Sequence, residues 1–451
     1  MKRFLAFCLM LIIVATSTAY AAGSEFKTGP YYMIADFIQE FQTIHPELTV
    51  TSGPTDYRTT DDLISAFLTG TFDLDAVELS TLSFDIDPII GKGYLADLSS
   101  NATIAETVSK MYPDIQKVVT RNGKIYGLPV GISFDFLSID PSVWKEAGLT
   151  EKDIPTTFGE FLDFLERWIA WTKSGANERH FVINGYFDEV LYNEGSYCAF
   201  LSELLLNNYM MQLDYAGEEL TFDSAELRTL LERCDAIGHQ LYEVESNPLA
   251  GPSLLVNGVL ASMENLLCLR ITADQPKLIK AYLAIMVVNA DSEQQTLGQE
   301  LALLNLQSKQ TIGEAAYLFQ AAEPVRDPYY DENIATWQKK VNDLQAQLDS
   351  TQNLTAEARG KLEGDLEQYR ATLDEVSAPE NEYMISQNDL DIYKQYADSI
   401  YIQMPGVFSI GTENGRMLQQ LIDRYAAGLV TVDQLIQRLE EVAWMVQMEG
   451  N

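Results

Sequence analysis

Few residues in this chain have the types and spacing that catalysis needs. Its three histidines, His45, His180 and His239, lie far apart without metal-ligand spacing, so each reads as a surface or packed residue. Carboxylates are abundant, with 66 Asp and Glu against 30 Lys and Arg. In so acidic a chain, a neighbouring pair such as Asp135 and Asp140 singles nothing out. A glycosidase would need two carboxyls at a defined separation in the folded protein, which spacing along the chain does not supply. The chain has no P-loop and no GxGxxG, HExxH or GxSxG motif. Sequons at Asn101 (NAT) and Asn353 (NLT) are short enough to recur by chance and are assigned no role. Aromatic residues are the chemistry on offer: 23 Tyr, 19 Phe and 5 Trp. Most belong to helical stripes, but Tyr57 follows TVTSG, Phe134 follows PVGIS and Tyr186 follows FVING, all at strand exits. Ligands of α/β sheets bind beyond the carboxyl ends of strands. Aromatic faces there can stack on sugar rings while carboxylates and amides hold hydroxyls. The plain alternative for each is a packed loop residue.

Elements must carry those exits. In YYMIADFIQEFQTIHP, Ile34, Phe37, Ile38 and Phe41 share one helical face. ELTVTSG then reads as a strand, TTDDLISAFLTG as a helix and FDLDAVEL as a strand, an alternation that implies a parallel-type α/β sheet. NGKIYGLPVGISFDF turns at Gly123, runs briefly apolar, and leaves through Pro129 and Gly131. IPTTFGEFLDFLERWIAW is a helix with a capping box at Thr157 and Glu160 and a stripe of Phe161, Phe164, Leu165 and Trp168. CAFLSELLLNNYMMQL and SAELRTLLERCDAIGHQLY continue as helices; NGVLASMENLL reads as helix end, turn and strand. AYLAIMVV and LALLNLQ are expected strands, and TIGEAAYLFQAA a helix. Residues 331–376 change character. Trp337, Val341, Leu344 and Leu348, then Leu362, Leu366, Tyr369 and Leu373, form two matched stripes that fold back as an antiparallel helical hairpin. It reads as packed on its own domain with solvated charged faces, the alternative being a partner-binding arm. The chain closes with two helices flanking Gly428, the second started by a capping box at Thr431 and Gln434.

Length and charge set the class. Lys2 and Arg3, the run FLAFCLMLIIVA and the small residues of AYA read as a signal peptide cleaved near Ala21. An uncleaved span would need about 20 apolar residues. Cys8, inside the run, is poorly placed as a lipid anchor, and no clear anchor is seen. The remaining chain, about 430 residues, exceeds one ordinary core and implies two lobes. Its net charge is −36, or −38 once Lys2 and Arg3 are removed. Such a charge repels phosphate backbones and anionic lipid, so no nucleic-acid partner is expected. Cys198, Cys234 and Cys268 are odd in number and widely spaced; one pair could form, but buried free thiols are the expected state.

Several stretches carry a family resemblance. FIQEFQTIHPELTV, DLDAVELS, GYLADLSS and, most specifically, NGKIYGLPVGISFDFLSIDPSVWKEAGLTEKDIPTTFGEFLDFL resemble the extracellular solute-binding proteins of family 1, the sugar-binding class serving ABC importers. GVLASMEN, LLNLQSKQTIGEAAYLFQAA and YAAGLVTVDQLIQRLEEVAWM resemble later segments of the same family. The resemblance implies an α/β, two-lobe periplasmic-binding-protein type II fold (Venus flytrap) with an added helical hairpin. It places an N-terminal lobe at residues 22–130 plus 288–320 and a C-terminal lobe at 131–287 plus 321–451. GKIYGLPV would end in the first crossing between lobes, and AYLAIMVV would be the return. It implies a ligand cleft lined by Tyr57, Glu78, Ser133, Phe134, Tyr186, Glu264 and Asn265. There Glu78 and Glu264 would accept protons from hydroxyls or amines, Ser133 and Asn265 would orient, and the aromatics would stack. It further implies an extracytoplasmic monomer, non-enzymatic and without cofactor or metal, that captures a sugar or oligosaccharide and delivers it to membrane permease subunits. Two alternatives are a secreted carbohydrate-active hydrolase and a cell-surface interaction protein using the hairpin. The polar GSEFKTGP stands where this family has an apolar first strand, which leaves that strand open.

Overall fold

A computed structural model describes residues 24–29, 36–52, 60–183, 195–244, 251–257, 265–351, 355–404, 406, 408 and 413–449. The chain divides into two compact units, one of Met1–Ser80, Phe84–Gly131 and Ala284–Ala315, the other of Thr81–Ser83, Ile132–Leu283 and Ala316–Asn451.

The first unit opens with β1 (Ser24–Thr28), α1 (Asp36–Ile44), β2 (Leu48–Ser52), α2 (Thr60–Thr69) and β3 (Ala76–Ser80). Helices α3 (Ile86–Gly91), α4 (Ala102–Ser109) and α5 (Pro113–Val119) follow, then the short ribbon β4 (Thr120–Arg121) and β5 (Lys124–Ile125). The stretch GSEFKTGP is the first strand after all. β1 lies between β2 and β3, parallel to both. Two inward residues suffice: Phe26 is fully buried against Phe41, ring centroids 5.2 Å apart, and Thr28 is buried with its hydroxyl donating to Ala76 O at 3.0 Å. The polar residues point outward, where Lys27 Nζ meets Asp73 at 2.8 Å. Period-two alternation, not overall hydrophobicity, makes this a strand.

β6 (Leu128–Asp135) passes from the first unit into the second between Gly131 and Ile132. The second unit continues with β7 (Leu137–Ile139), α6 (Pro141–Glu146), α7 (Phe158–Lys173), α8 (Ser196–Ala216), α9 (Ala225–Val244) and β8 (Leu255–Asn257). β9 (Ile279–Val288) returns, paired with β6. Its Ala284–Val288 end runs antiparallel to β3 in the first unit. Helices α10 (Gln295–Leu306) and α11 (Ile312–Ala316) follow. The strand expected at LALLNLQ is instead the second half of α10, where Leu297, Leu301 and Leu304 are buried at helical spacing. A short apolar run does not by itself separate a buried strand from a buried helix. The helix expected over TIGEAAYLFQAA shrinks to α11, with Tyr317 and Leu318 buried beyond it. Most of NGVLASMENLL lies outside the described residues.

Next come β10 (Val325–Arg326), α12 (Tyr330–Ser350), α13 (Ala356–Val376), β11 (Tyr383–Ile385), α14 (Gln387–Tyr396), β12 (Ile400–Ile402), α15 (Glu413–Ala426) and α16 (Val432–Glu449). β12 lies parallel to the Ile279–Ala281 end of β9. Helices α12 and α13 are the hairpin. Val341, Leu348 and Leu366 form its buried seam, with Leu344, Leu362, Tyr369 and Leu373 against them, and that cluster contains hairpin residues only. The antiparallel β10–β11 ribbon clasps its base, where Arg326 reaches Asp331 at 2.7 and 2.8 Å and Glu382 at 3.0 Å.

The main core of the second unit joins α7, α8, α9, α15 and α16. The capping box starts α7 as expected: Glu160 N donates to Thr157 Oγ1 at 3.2 Å, and Thr157 N to Glu160 Oε2 at 3.1 Å. Cys198 and Cys234 are buried, Cys268 is half-buried, and all three are free thiols. Burial pushes Cys198 up to about 12. Helices α8 and α9 touch closely at Gly238, where an added Cβ would sit 2.5 Å from Cys198 N. That neighbour is backbone and cannot rotate away. Gly238→Ala is therefore expected to cost about 1–3 kcal/mol, measured as a lowered denaturation midpoint; an unchanged midpoint would mean the helices can separate freely.

Candidate functional site

The first unit gathers an acidic patch around β3. Glu78 projects from β3 to the solvent-exposed side, and Asn305, fully buried near the end of α10, donates from Nδ2 to Glu78 Oε2 at 2.8 Å. Among the described residues, Asn305 Oδ1 has no hydrogen-bond partner. Glu314 on α11 lies against the bare backbone of β6, its Oε2 3.1 Å from where a Cβ on Gly131 would stand. Loss of solvation raises the Glu78 pKa, against the lowering effect of the Asn305 hydrogen bond. Glu314 is raised by the same loss of solvation and further by the charge of Glu78. Chemically, the patch offers two acceptor groups for which a hydrogen-bond donor would relieve an unfavourable charge.

The second unit holds a cavity of about 860 Å³, within the usual size of small-molecule sites. Phe136, between β6 and β7, and Phe200 on α8 give it aromatic surface; Leu266, Leu269 and Leu278 give it apolar walls; Asn207 and Gln419 bring amides. Its charged lining is Asp135, Glu203, Lys280 and Asp423. Lys280 is only 16% exposed and sits 2.9 Å from Asp135. Tyr282 adds its ring 5.4 Å from the ammonium, and its hydroxyl donates to Asp135 Oδ2 at 3.3 Å. Burial would lower the Lys280 pKa, but the charge of Asp135 and the contacts with Tyr282 outweigh it and the pKa is raised. Glu203 is raised by loss of solvation; Lys280 opposes this, while Asp423 and Asp135 add to it. Among the described residues, no group of three or more His, Cys, Asp or Glu is arranged to hold a metal ion, and no helix is long and apolar enough to cross a membrane.

Of the residues expected from the sequence, Tyr57, Tyr186 and Glu264 lie outside the described residues. Glu78 belongs to the first-unit patch. Ser133 is exposed and Phe134 half-buried on the second-unit end of β6, just before Asp135. Phe134 packs edge-on to Phe136 and Tyr393, centroids 6.4 and 6.0 Å away. Asn265 is half-buried and precedes Leu266, which bridges to Ser138 and lines the cavity. Of the carboxylate pair set aside earlier, Asp140 is a helix cap, accepting from Ser142 N and Val143 N, whereas Asp135 faces the cavity. Asn101 likewise caps α4. Sequence reasoning missed Asn305, Glu314, Glu203 and Lys280. Two had a signal. Glu203 is the one charged residue in CAFLSELLLNNYMMQL, and Lys280 the one in LIKAYLAIMVV.

The pKa directions in the first-unit patch have a consequence for stability. A carboxyl whose folded pKa exceeds its unfolded value holds more protons when folded, so stability falls as pH rises through that interval. Glu314→Gln should therefore raise the denaturation midpoint at neutral pH and lose that advantage in acid, where both forms are uncharged. Solvent contact keeps the gain to about a few tenths of a kcal/mol. Thermal melts across the pH range measure it; a gain that persisted in acid would refute the charge argument.

No family model matches the chain, and no curated protein matches it. Solved structures do resemble it. A chitin oligosaccharide binding protein superposes with a TM-score of 0.53 at 12% identity, covering 94% of this chain and 98% of that one. A structure concerned with xylan utilization by the thermophilic bacterium Caldanaerobius polysaccharolyticus gives 0.51 at 13% identity, covering 93% and 99%. The cyclic alpha-maltosyl-1,6-maltose binding protein from Arthrobacter globiformis gives 0.50 at 13% identity, covering 93% and 98%. The chain thus has the two-lobe α/β fold of the sugar-binding solute-binding proteins, the fold class expected from its sequence.

Proposed function

We propose that the chain is an extracytoplasmic solute-binding protein that captures a sugar or oligosaccharide in a cleft between its lobes and delivers it to an ABC importer. The observation that carries the sugar-binding part of this reading is the second-unit cavity, lined by second-unit residues alone, whose aromatic, amide and carboxylate groups suit a polyhydroxylated ligand. The oligosaccharide ligands named for two structures of this fold support it. In the proposed cycle the N-terminal lobe, residues 22–130 plus 288–320, contributes Glu78, and the C-terminal lobe, 131–287 plus 321–451, contributes Ser133, Phe134 and Asn265 beside the cavity. Tyr57, Tyr186 and Glu264 complete the proposed contact set. A ligand touching both lobes binds the closed form better, and that difference in affinity drives closure. Permease subunits then read the closed surface. The protein works as a monomer, releases its signal peptide near Ala21, and binds without turning its ligand over.

Calorimetric titration with a panel of sugars and oligosaccharides tests this, with product analysis on the same samples. Saturable binding without products is the expected result, and Phe200→Ala should weaken it about tenfold, equivalent to about 1.4 kcal/mol. Cleavage of a panel member would point to a hydrolase instead.

A further inference from the structure

We propose that the second-unit cavity selects saccharides bearing an amino group, with Glu203 as the residue that receives the ammonium; this rests on the sugar-binding function proposed above.

The cavity lining carries three carboxylates and one lysine. They are not equally available. Lys280 is committed to Asp135, which also accepts from Tyr282. Asp423 is exposed and accepts from Gln419 Nε2 at 3.2 Å. Glu203 is half-buried on α8, and among the described residues no hydrogen bond or ion pair engages it. A carboxylate withdrawn from water without a partner is costly. Burial raises the Glu203 pKa, with Lys280 opposing and Asp423 and Asp135 adding to it, in keeping with that cost. A hydroxyl would repay part of it. An ammonium repays more, because it adds the attraction between two opposite unit charges to the charge-assisted hydrogen bond that a hydroxyl also makes with a carboxylate. The same lining disfavours acidic sugars: its single lysine is already neutralised, and the remaining charge is negative. Phe136 and Phe200 supply apolar faces for the ring carbons, so the charge-reading task falls to Glu203.

The test compares two ligands that differ chiefly in charge, the glucosamine tetramer and the N-acetylglucosamine tetramer, each titrated calorimetrically into the full chain. The titrations run at about pH 6, where the amines are protonated and the usual carboxylate is ionised. The glucosamine tetramer is expected to bind at least about tenfold tighter, with the preference shrinking as salt is added. Glu203→Gln should bring the two affinities to near parity, while Asp423→Asn should keep most of the preference. Circular dichroism and a melt check that each variant folds; the wild-type comparison stands without them. Equal binding, tighter binding of the acetylated tetramer, or a preference that survives Glu203→Gln in a folded protein overturns the inference while leaving sugar binding intact. If no saccharide of either kind binds, at this pH or in the broader panel, the sugar-binding reading falls and this inference with it.

Discussion

A lysine that sits mostly out of water must be matched by a negative charge, and in this protein that requirement falls where the chain's crossing strands meet. Lys280 lies on β9 just before the strand enters the first unit, and Asp135 closes β6 just after that strand has left it. The two strands are paired, and the ion pair fastens their second-unit ends. Taking away Asp135 would deprive the largely buried Lys280 ammonium of the carboxylate 2.9 Å away, a larger loss than the net worth of the pair. Both side chains also line the cavity, so one interaction ties the two paired strands together and supplies part of the charge of the site.

Close backbone approach is the second constraint. At Gly127, just before β6, an added Cβ would stand 2.6 Å from Ile285 Cγ2 on β9. A larger residue would push apart the strands that Lys280 and Asp135 hold together. The hairpin is under no such constraint. Its seam buries only its own residues and its base hangs from the Arg326 clasp, so it adds mass without entering the second unit's main core.

Legibility varied with the range of the interactions involved. The α7 capping box and the hairpin seam are local patterns, and both were readable residue by residue. β1 was obscured because its two inward residues are diluted by polar ones, and only its neighbours on both sides make it a strand. LALLNLQ failed for the opposite reason: α10 is buried over so much of its surface that its helical period is blurred. Within the site, Glu78 could be named in advance, but its partners Asn305 and Glu314 are more than two hundred residues away along the chain. Nothing local marks them as neighbours.

Sequence alone thus determined the alternation of helices and strands, the fold class, the acidic character and the dearth of catalytic motifs, since each depends on composition or on spacing over a few residues. Tertiary structure decided which charges became meaningful. Asp135 looked interchangeable with Asp140 until folding made one a helix cap and the other the counter-ion of Lys280. Glu203 became notable only once folding had placed it half-buried in the cavity with no hydrogen bond or ion pair among the described residues. A side chain's electrostatic role is set by what surrounds it in three dimensions, and those surroundings come from segments far apart in the chain.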